Sequence, residues 1–206
     1  MRVLLINGSP APEGCTYTAL RHIATALEQE GVGARIFHIG TRPLSGCLDC
    51  GLCAESGRCV IEDSVNDFLD IADEYDGYVF GSPVHYAAAS GAITSFMDRV
   101  FFLKSDRFAF KPAAAVVSCR RGGATTAFDQ LNKYFTISNM PVVSSQYWNM
   151  VHGMDPEEVE QDIEGLQIMR TLGRNMAWLL RSIEAGRQAG IKPPKPEKWT
   201  PTNFIR

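Results

Sequence analysis

Short apolar runs, each cut off by a turn and followed by a helix-spaced stretch, constrain this chain more than any other feature. Val3-Leu4-Leu5-Ile6 is continuous and apolar, and it stops at Asn7-Gly8-Ser9-Pro10. Such a run suits a strand buried on both faces, as in a parallel sheet, rather than a strand with one wet face. Leu20, Ile23, Ala24 and Leu27 then recur at helical spacing until Gly31. Gly33–Ile39 reads as a second strand, Tyr78-Val79-Phe80 as a third broken by Gly81-Ser82-Pro83, and Ala113–Val117 as a fourth. Val142-Val143 opens a fifth. Between them lie a helix capped by Ser64 and carrying Val65, Phe68, Leu69 and Ala72, a helix over Ser90–Leu103, and a helix after Gly122-Gly123. Asp155-Pro156-Glu157-Glu158 is a strong start for one long amphipathic helix over 156–185.

Five strands alternating with helices predict an α/β fold with a doubly wound parallel sheet flanked by helices. The chain has 206 residues, enough for one well-buried domain, read here as 1–186. The remainder, 187–206, holds Pro193, Pro194, Pro196 and Pro201 and is expected to be extended or partly disordered. Trp199 and Phe204 in that tail, with the long helix, offer a surface for a second subunit. The net charge of −3 lacks the basic excess that binding to nucleic acid needs. No apolar run approaches the roughly 20 residues that span a bilayer. The apolar part of Met1–Gly8 is too short for a signal peptide, so a cytoplasmic protein is expected.

In a doubly wound sheet the ligand crevice lies outside the carboxyl ends of the strands. The loops there are 8–15, 40–59, 81–90, 118–124 and 144–154, and they hold the unusual sequence. In the first, helix-start amides with the hydroxyls of Ser9, Thr16 and Thr18 make an anion cradle of neutral donors, and Glu13 is expected to face solvent. Neither G-x-G-x-x-G nor a P-loop G-K-[ST] is present here, and a plain strand-to-helix turn is the simpler alternative. In the third, Pro83, Val84, His85 and Tyr86 among small residues suit a flat ring lying close to backbone. In the fourth, Ser118-Cys119-Arg120-Arg121-Gly122-Gly123 brings two glycines and two arginines to the same rim.

Four of the six cysteines crowd into Cys47-x2-Cys50-x2-Cys53-x5-Cys59. A secreted chain spreads disulfide cysteines more widely, so the crowding points to metal or redox chemistry. An iron–sulfur cluster, structural zinc and thiol redox chemistry all use such cysteines. Cys119, at a strand end, reads as a buried, inert thiol, and Cys15 as a thiol at a helix start, where the thiolate is favoured. His22, His38 and His152 have no ligand spacing.

Ile6-Asn7-Gly8-Ser9-Pro10 with Gly14-x-Thr16, the four-cysteine loop, Gly81-Ser82-Pro83-Val84, Ser90-Gly91 and Phe96-Met97-Asp98-Arg99 together resemble one group. It is the flavodoxin-like NAD(P)H-dependent FMN reductases, in particular the iron–sulfur flavoproteins. The likeness runs over roughly residues 1–145. It implies a flavodoxin-like strand order 2-1-3-4-5, bound FMN, and electrons passing from NAD(P)H or a ferredoxin-type donor to a small-molecule or protein acceptor. It implies Ser9, Pro10 and Thr16 on the FMN phosphate with Cys15 and Thr18 beside it. Pro83, Val84, His85 and Tyr86 would line the isoalloxazine, with Ser118, Arg120, Gly122 and Gly123 opposite. Cys47, Cys50, Cys53 and Cys59 would hold a [4Fe–4S] cluster, and the protein would be a homodimer or homotetramer. A flavodoxin-like electron carrier or redox-sensing module without turnover is the alternative. The chain departs from the family pattern at Cys15, where Asn is usual, at His85-Tyr86-Ala87, where Tyr-Tyr-Gly is frequent, and at Thr94, where Lys is common.

Overall fold

The computed structural model describes residues 1–195, 197–198 and 200–202. Pro196, Trp199 and Phe204, singled out above, lie outside the described residues. Strand β1 (Arg2–Asn7) leads through helix α1 (Cys15–Gln29) to β2 (Gly33–His38). A long connection carries a single turn, α2 (Cys53–Ser56), before α3 (Ser64–Ala72) and β3 (Gly77–His85). Then come β4 (Ala88–Ala89), α4 (Gly91–Lys104), β5 (Ala113–Cys119), α5 (Ala124–Ile137), β6 (Met150–His152), α6 (Pro156–Gln161) and α7 (Ile163–Gln188).

The main sheet runs β2-β1-β3-β5-β6 with every pair parallel. Counted along the chain without the two-residue β4, this is the flavodoxin-like order 2-1-3-4-5. The apolar run of β1 explains both layers. Leu4 and Ile6 pack with α3, α4 and α5 around Phe68, Phe96 and Phe135, while Val3 and Leu5 pack with α1 and α7 around Ile23, Leu172 and Met176. Alternation along the strand feeds two cores at once, so none of the four positions from Val3 to Ile6 is left for a polar residue.

Four local expectations need correction. Asp63, not Ser64, caps α3: its Oδ1 accepts the Val65 N–H at 3.1 Å, and Ser64 is the first helical residue. β3 does not break at Gly81-Ser82-Pro83 but continues to His85. Pro83 lies beyond the last residue paired with β1, where a missing N–H is tolerated. The fifth strand is interrupted. Val142 makes one bridge to Ala113, 144–149 loop away, and pairing resumes at Met150. Asn149 spans the gap, donating its side-chain N–H to the Ala115 carbonyl at 3.1 Å and accepting the Val117 N–H on its own carbonyl at 3.0 Å. Finally, the long helix is two. Asp162 (φ −76°, ψ 76°) breaks it, and its carboxylate accepts N–H bonds from Gly165 at 2.9 Å and His152 at 2.7 Å. A local cap outcompetes continuation of the helix there. Ile163, whose spacing from Val159 would put it on the apolar face of an unbroken helix, is exposed. In the tail, 191–195 form neither helix nor strand. No described helix is long and apolar enough to cross a membrane.

Candidate functional site

The carboxyl ends of β1, β3, β5 and β6 surround a cleft of about 540 Å³, within the range of small-molecule sites. Its first wall is the β1–α1 loop. The Asn7 side chain holds that loop, with Oδ1 accepting the Ser9 N–H at 3.1 Å and Nδ2 donating to the Pro12 carbonyl at 3.0 Å. No side chain caps α1 at Gly14, and its first turn carries no acid. The opening amides of α1 therefore remain available to an anion. Thr16 Oγ1 and Ser118 Oγ lie 2.9 Å apart and tie the first wall to the carboxyl end of β5. His38, left without a role above, reaches from the end of β2 and donates from Nε2 to the Ser9 carbonyl at 2.8 Å. A histidine closing a strand on the ligand rim was the available signal for it.

Ser9, Pro10, Cys15, Thr16, Pro83, Val84, His85, Ser118 and Arg120 all line this cleft. Thr18 does not: it is buried one turn into α1, with its hydroxyl toward the Gly14 carbonyl at 3.4 Å. Tyr86 does not either. It stands at the tip of the β3–β4 hairpin, 106% exposed, where Tyr86 (φ 49°) and Ala87 (φ 60°) form the turn. Gly122 borders open space, and Gly123 packs under the hairpin rather than on the cleft. Glu13 is exposed outside it. Met154, Asp155 and Pro156, from the loop leading into α6, form a wall that the sequence reading did not assign.

That wall changes the reading of Cys15, which stands with its sulfur 3.8 Å from the Gly153 carbonyl. Burial is the largest influence and pushes the thiol up. A main-chain hydrogen bond opposes this, and Asp155, Glu158 and Glu157 add to the rise. The expected thiolate at a helix start is thus overridden. Iodoacetamide at pH 7 will modify Cys15 more slowly than free cysteine, and the rate will still climb with pH above the ordinary thiol range. Mass-resolved alkylation checks this; a rate at or above that of free cysteine at pH 7 refutes it. Burial likewise pushes up the Cys119 thiol, which is buried as expected beside His152 Nδ1 at 3.4 Å.

Cys47, Cys50, Cys53 and Cys59 line one separate pocket of about 20 Å³. Cys47 and Cys50 are exposed, Cys53 and Cys59 half-buried. Burial raises the Cys53 thiol, a main-chain hydrogen bond lowers it, and the other three thiols raise it further. Asp49 (φ 49°), Gly51 (φ 71°) and Gly57 (φ 70°) bend the backbone around the group. Among the described residues, no three His, Cys, Asp or Glu side chains are grouped to hold a single metal ion. The four-thiol donor set suits iron–sulfur chemistry.

The pocket also contains Arg99 of α4, which sequence reasoning quoted only as part of a motif. Arg99 is 2% exposed. It donates to Cys59 Sγ from Nε at 3.3 Å and Nη2 at 3.1 Å, to Asp63 at 2.6 and 3.0 Å, and to the Ile61 carbonyl at 2.9 Å. Burial, the largest influence, works against its charge, but the bonds to Asp63 and Cys59 outweigh it and raise its affinity for the proton.

The family model described as NADPH-dependent FMN reductase matches residues 1–155. An iron–sulfur flavoprotein of Methanocaldococcus jannaschii is 32% identical over 192 residues, covering 89% of this chain and 100% of the relative. One from Methanosarcina thermophila is 24% identical over 195 residues, covering 91% and 99%. Among solved structures, RosB, with 8-demethyl-8-formylriboflavin-5'-phosphate bound, superposes with a TM-score of 0.70 at 15% identity, covering 100% of this chain and 92% of RosB. A flavodoxin from the domain Archaea gives 0.60 at 16%, covering 88% and 99%. The structural likenesses bear on the fold, and the sequence matches carry the assignment: the chain is an FMN-dependent oxidoreductase belonging to the NADPH-dependent FMN reductase family.

Proposed function

We propose that this protein takes electrons from NAD(P)H, or from a ferredoxin-type donor, and passes them by way of FMN to a small-molecule or protein acceptor. A [4Fe–4S] cluster on Cys47, Cys50, Cys53 and Cys59 would serve as a second electron station. The observation that carries this is the cleft itself: nine residues expected from three separate loops meet there, beside a helix start with no cap. That both relatives described above are named iron–sulfur flavoproteins, one of them matched over its whole length, supports the cluster.

When bound, FMN supplies the hydride and single-electron chemistry, so no catalytic acid or base is required of the chain. The α1 amides and the hydroxyls of Ser9 and Thr16 bind the phosphate through neutral donors. Asn7 and His38 hold that loop in place. Pro83, Val84 and His85 would orient the ring edge, Ser118 lies beside Pro83 as its partner on the adjacent strand with Arg120 beyond it, and Pro10 and Cys15 would close the phosphate end. Thr18, Tyr86 and Gly123 act indirectly, through helix and hairpin, and Gly122 only borders open space. A cytoplasmic homodimer or homotetramer remains part of this reading.

Anaerobically purified protein should be yellow with about one FMN per chain, and should oxidise NADH or NADPH with an added acceptor. Colourless protein that takes up no FMN refutes the reading. Protein that holds FMN but oxidises neither nucleotide is an electron carrier or redox sensor. Cys50→Ala should remove bound iron and sulfide while FMN content stays at the wild-type level. Equal iron in variant and wild type would rule out the cluster assignment.

A further inference from the structure

We infer that Arg99 is a positioning residue of the four-cysteine site, fixing the Cys59 sulfur and placing a buried positive charge that makes an iron–sulfur core there easier to reduce. This rests on the cluster reading above. Two N–H groups of one guanidinium point at one sulfur, at 3.1 and 3.3 Å. Here the fork is shared: Nη1 and Nη2 hold Asp63, while Nε and Nη2 hold Cys59. The Asp63 and Ile61 contacts lock the guanidinium in that pose.

The geometry also separates a tied cysteine from two exposed ones. Cys59 is tied at both ends, its N–H donating to Asn66 Oδ1 at 2.9 Å and its carbonyl accepting from Asn66 Nδ2 at 2.9 Å. Cys47 and Cys50 lie exposed. Arg99 thus preorganises the one ligand whose backbone Asn66 already holds. Taking up one electron adds one negative charge to the core. A buried cation beside a ligand sulfur stabilises that reduced form, and hydrogen bonds to cluster sulfurs act in the same direction. Asp63 opposes it with a negative charge one step further from the sulfur.

The two residues therefore predict shifts of opposite sign. In anaerobic redox titrations of the purified holoprotein, followed by electron paramagnetic resonance, Arg99→Met should lower the reduced-to-oxidised ratio at a given potential at least tenfold. For a one-electron couple that is a potential more negative by about 59 mV. Arg99→Lys, which keeps the charge and loses the fork, should shift it less in the same direction. Asp63→Asn should shift it the other way. A structural role alone would move iron content or stability but not produce opposite shifts. FMN content near wild type marks each variant as folded, and where Arg99→Met retains no iron, Arg99→Lys decides. A potential equal to wild type in the deciding variant overturns the inference and leaves the cluster reading standing. Wild-type protein without iron and sulfide overturns both.

Discussion

Asp63→Ala should destabilise the fold by about 3–5 kcal/mol, the cost of stripping one partner from a buried ion pair. Arg99 is the largest fully buried side chain among the described residues, and Asp63 holds it with two bonds of 2.6 and 3.0 Å. Without the carboxylate the guanidinium keeps two carbonyls and one thiol but no formal negative charge. Alanine also removes the cap of α3, itself worth about 1 kcal/mol, since the same carboxylate accepts the Val65 N–H. Part of the sum is recovered because the Asp63 side chain is 20% exposed and water can reach the gap. Urea unfolding followed by circular dichroism would show a lower midpoint at an unchanged slope. Asp63→Asn, which keeps a capping oxygen, should fall between alanine and wild type. A loss under about 1 kcal/mol would place the pair among weak surface ion pairs and remove the idea that it anchors the cysteine loop.

The fold was legible where one physical cause governed a whole segment. Val3–Ile6 is apolar at every position because both faces of β1 are covered, and that requirement alone indicates a parallel sheet. The site followed from the fold, since a doubly wound sheet places its ligand at the carboxyl ends of its strands. Misreadings arose where a local group competed with periodicity. Ile163 and Val159 keep helical spacing across Asp162, yet the Asp162 carboxylate satisfies the Gly165 and His152 amides and ends the first helix. Asn149 rebuilds the missing stretch of the fifth strand with a side-chain amide, which no strand pattern encodes. Tyr86 and Ala87 form a left-handed turn without glycine or asparagine, so the hairpin carried no turn signal and Tyr86 was expected on the ring rather than at the tip. Arg99 pairs with Cys59 across 40 positions. Its signal was placement: it follows Phe96 by three residues and precedes Leu103 by four, on the apolar face of α4, where a charge needs a partner.

Gly123→Ala and Gly122→Ala should separate sharply although they are neighbours in one loop. At Gly123 the backbone has φ +89°, and an added Cβ would lie 2.5 Å from Ala87 Cα and 3.1 Å from Val84 Cγ1. A left-handed conformation costs a non-glycine residue about 1–3 kcal/mol, and forced overpacking costs about 1–3 kcal/mol more. The atom in the way is main chain of the hairpin, so no rotamer change relieves it. At Gly122 the same methyl meets nothing within 4 Å. The least costly escape for the Gly123 variant is to push the hairpin outward, and the hairpin carries Val84 and His85 on the cleft wall. FMN affinity should then fall at least tenfold, and stability by about 2–5 kcal/mol, while Gly122→Ala stays close to wild type in both. Fluorescence titration of the apoprotein with FMN and thermal unfolding of the two variants side by side provide the comparison. Equal affinities would mean that the hairpin does not touch the flavin, and the ring would then have to be placed against the Met154–Pro156 wall instead.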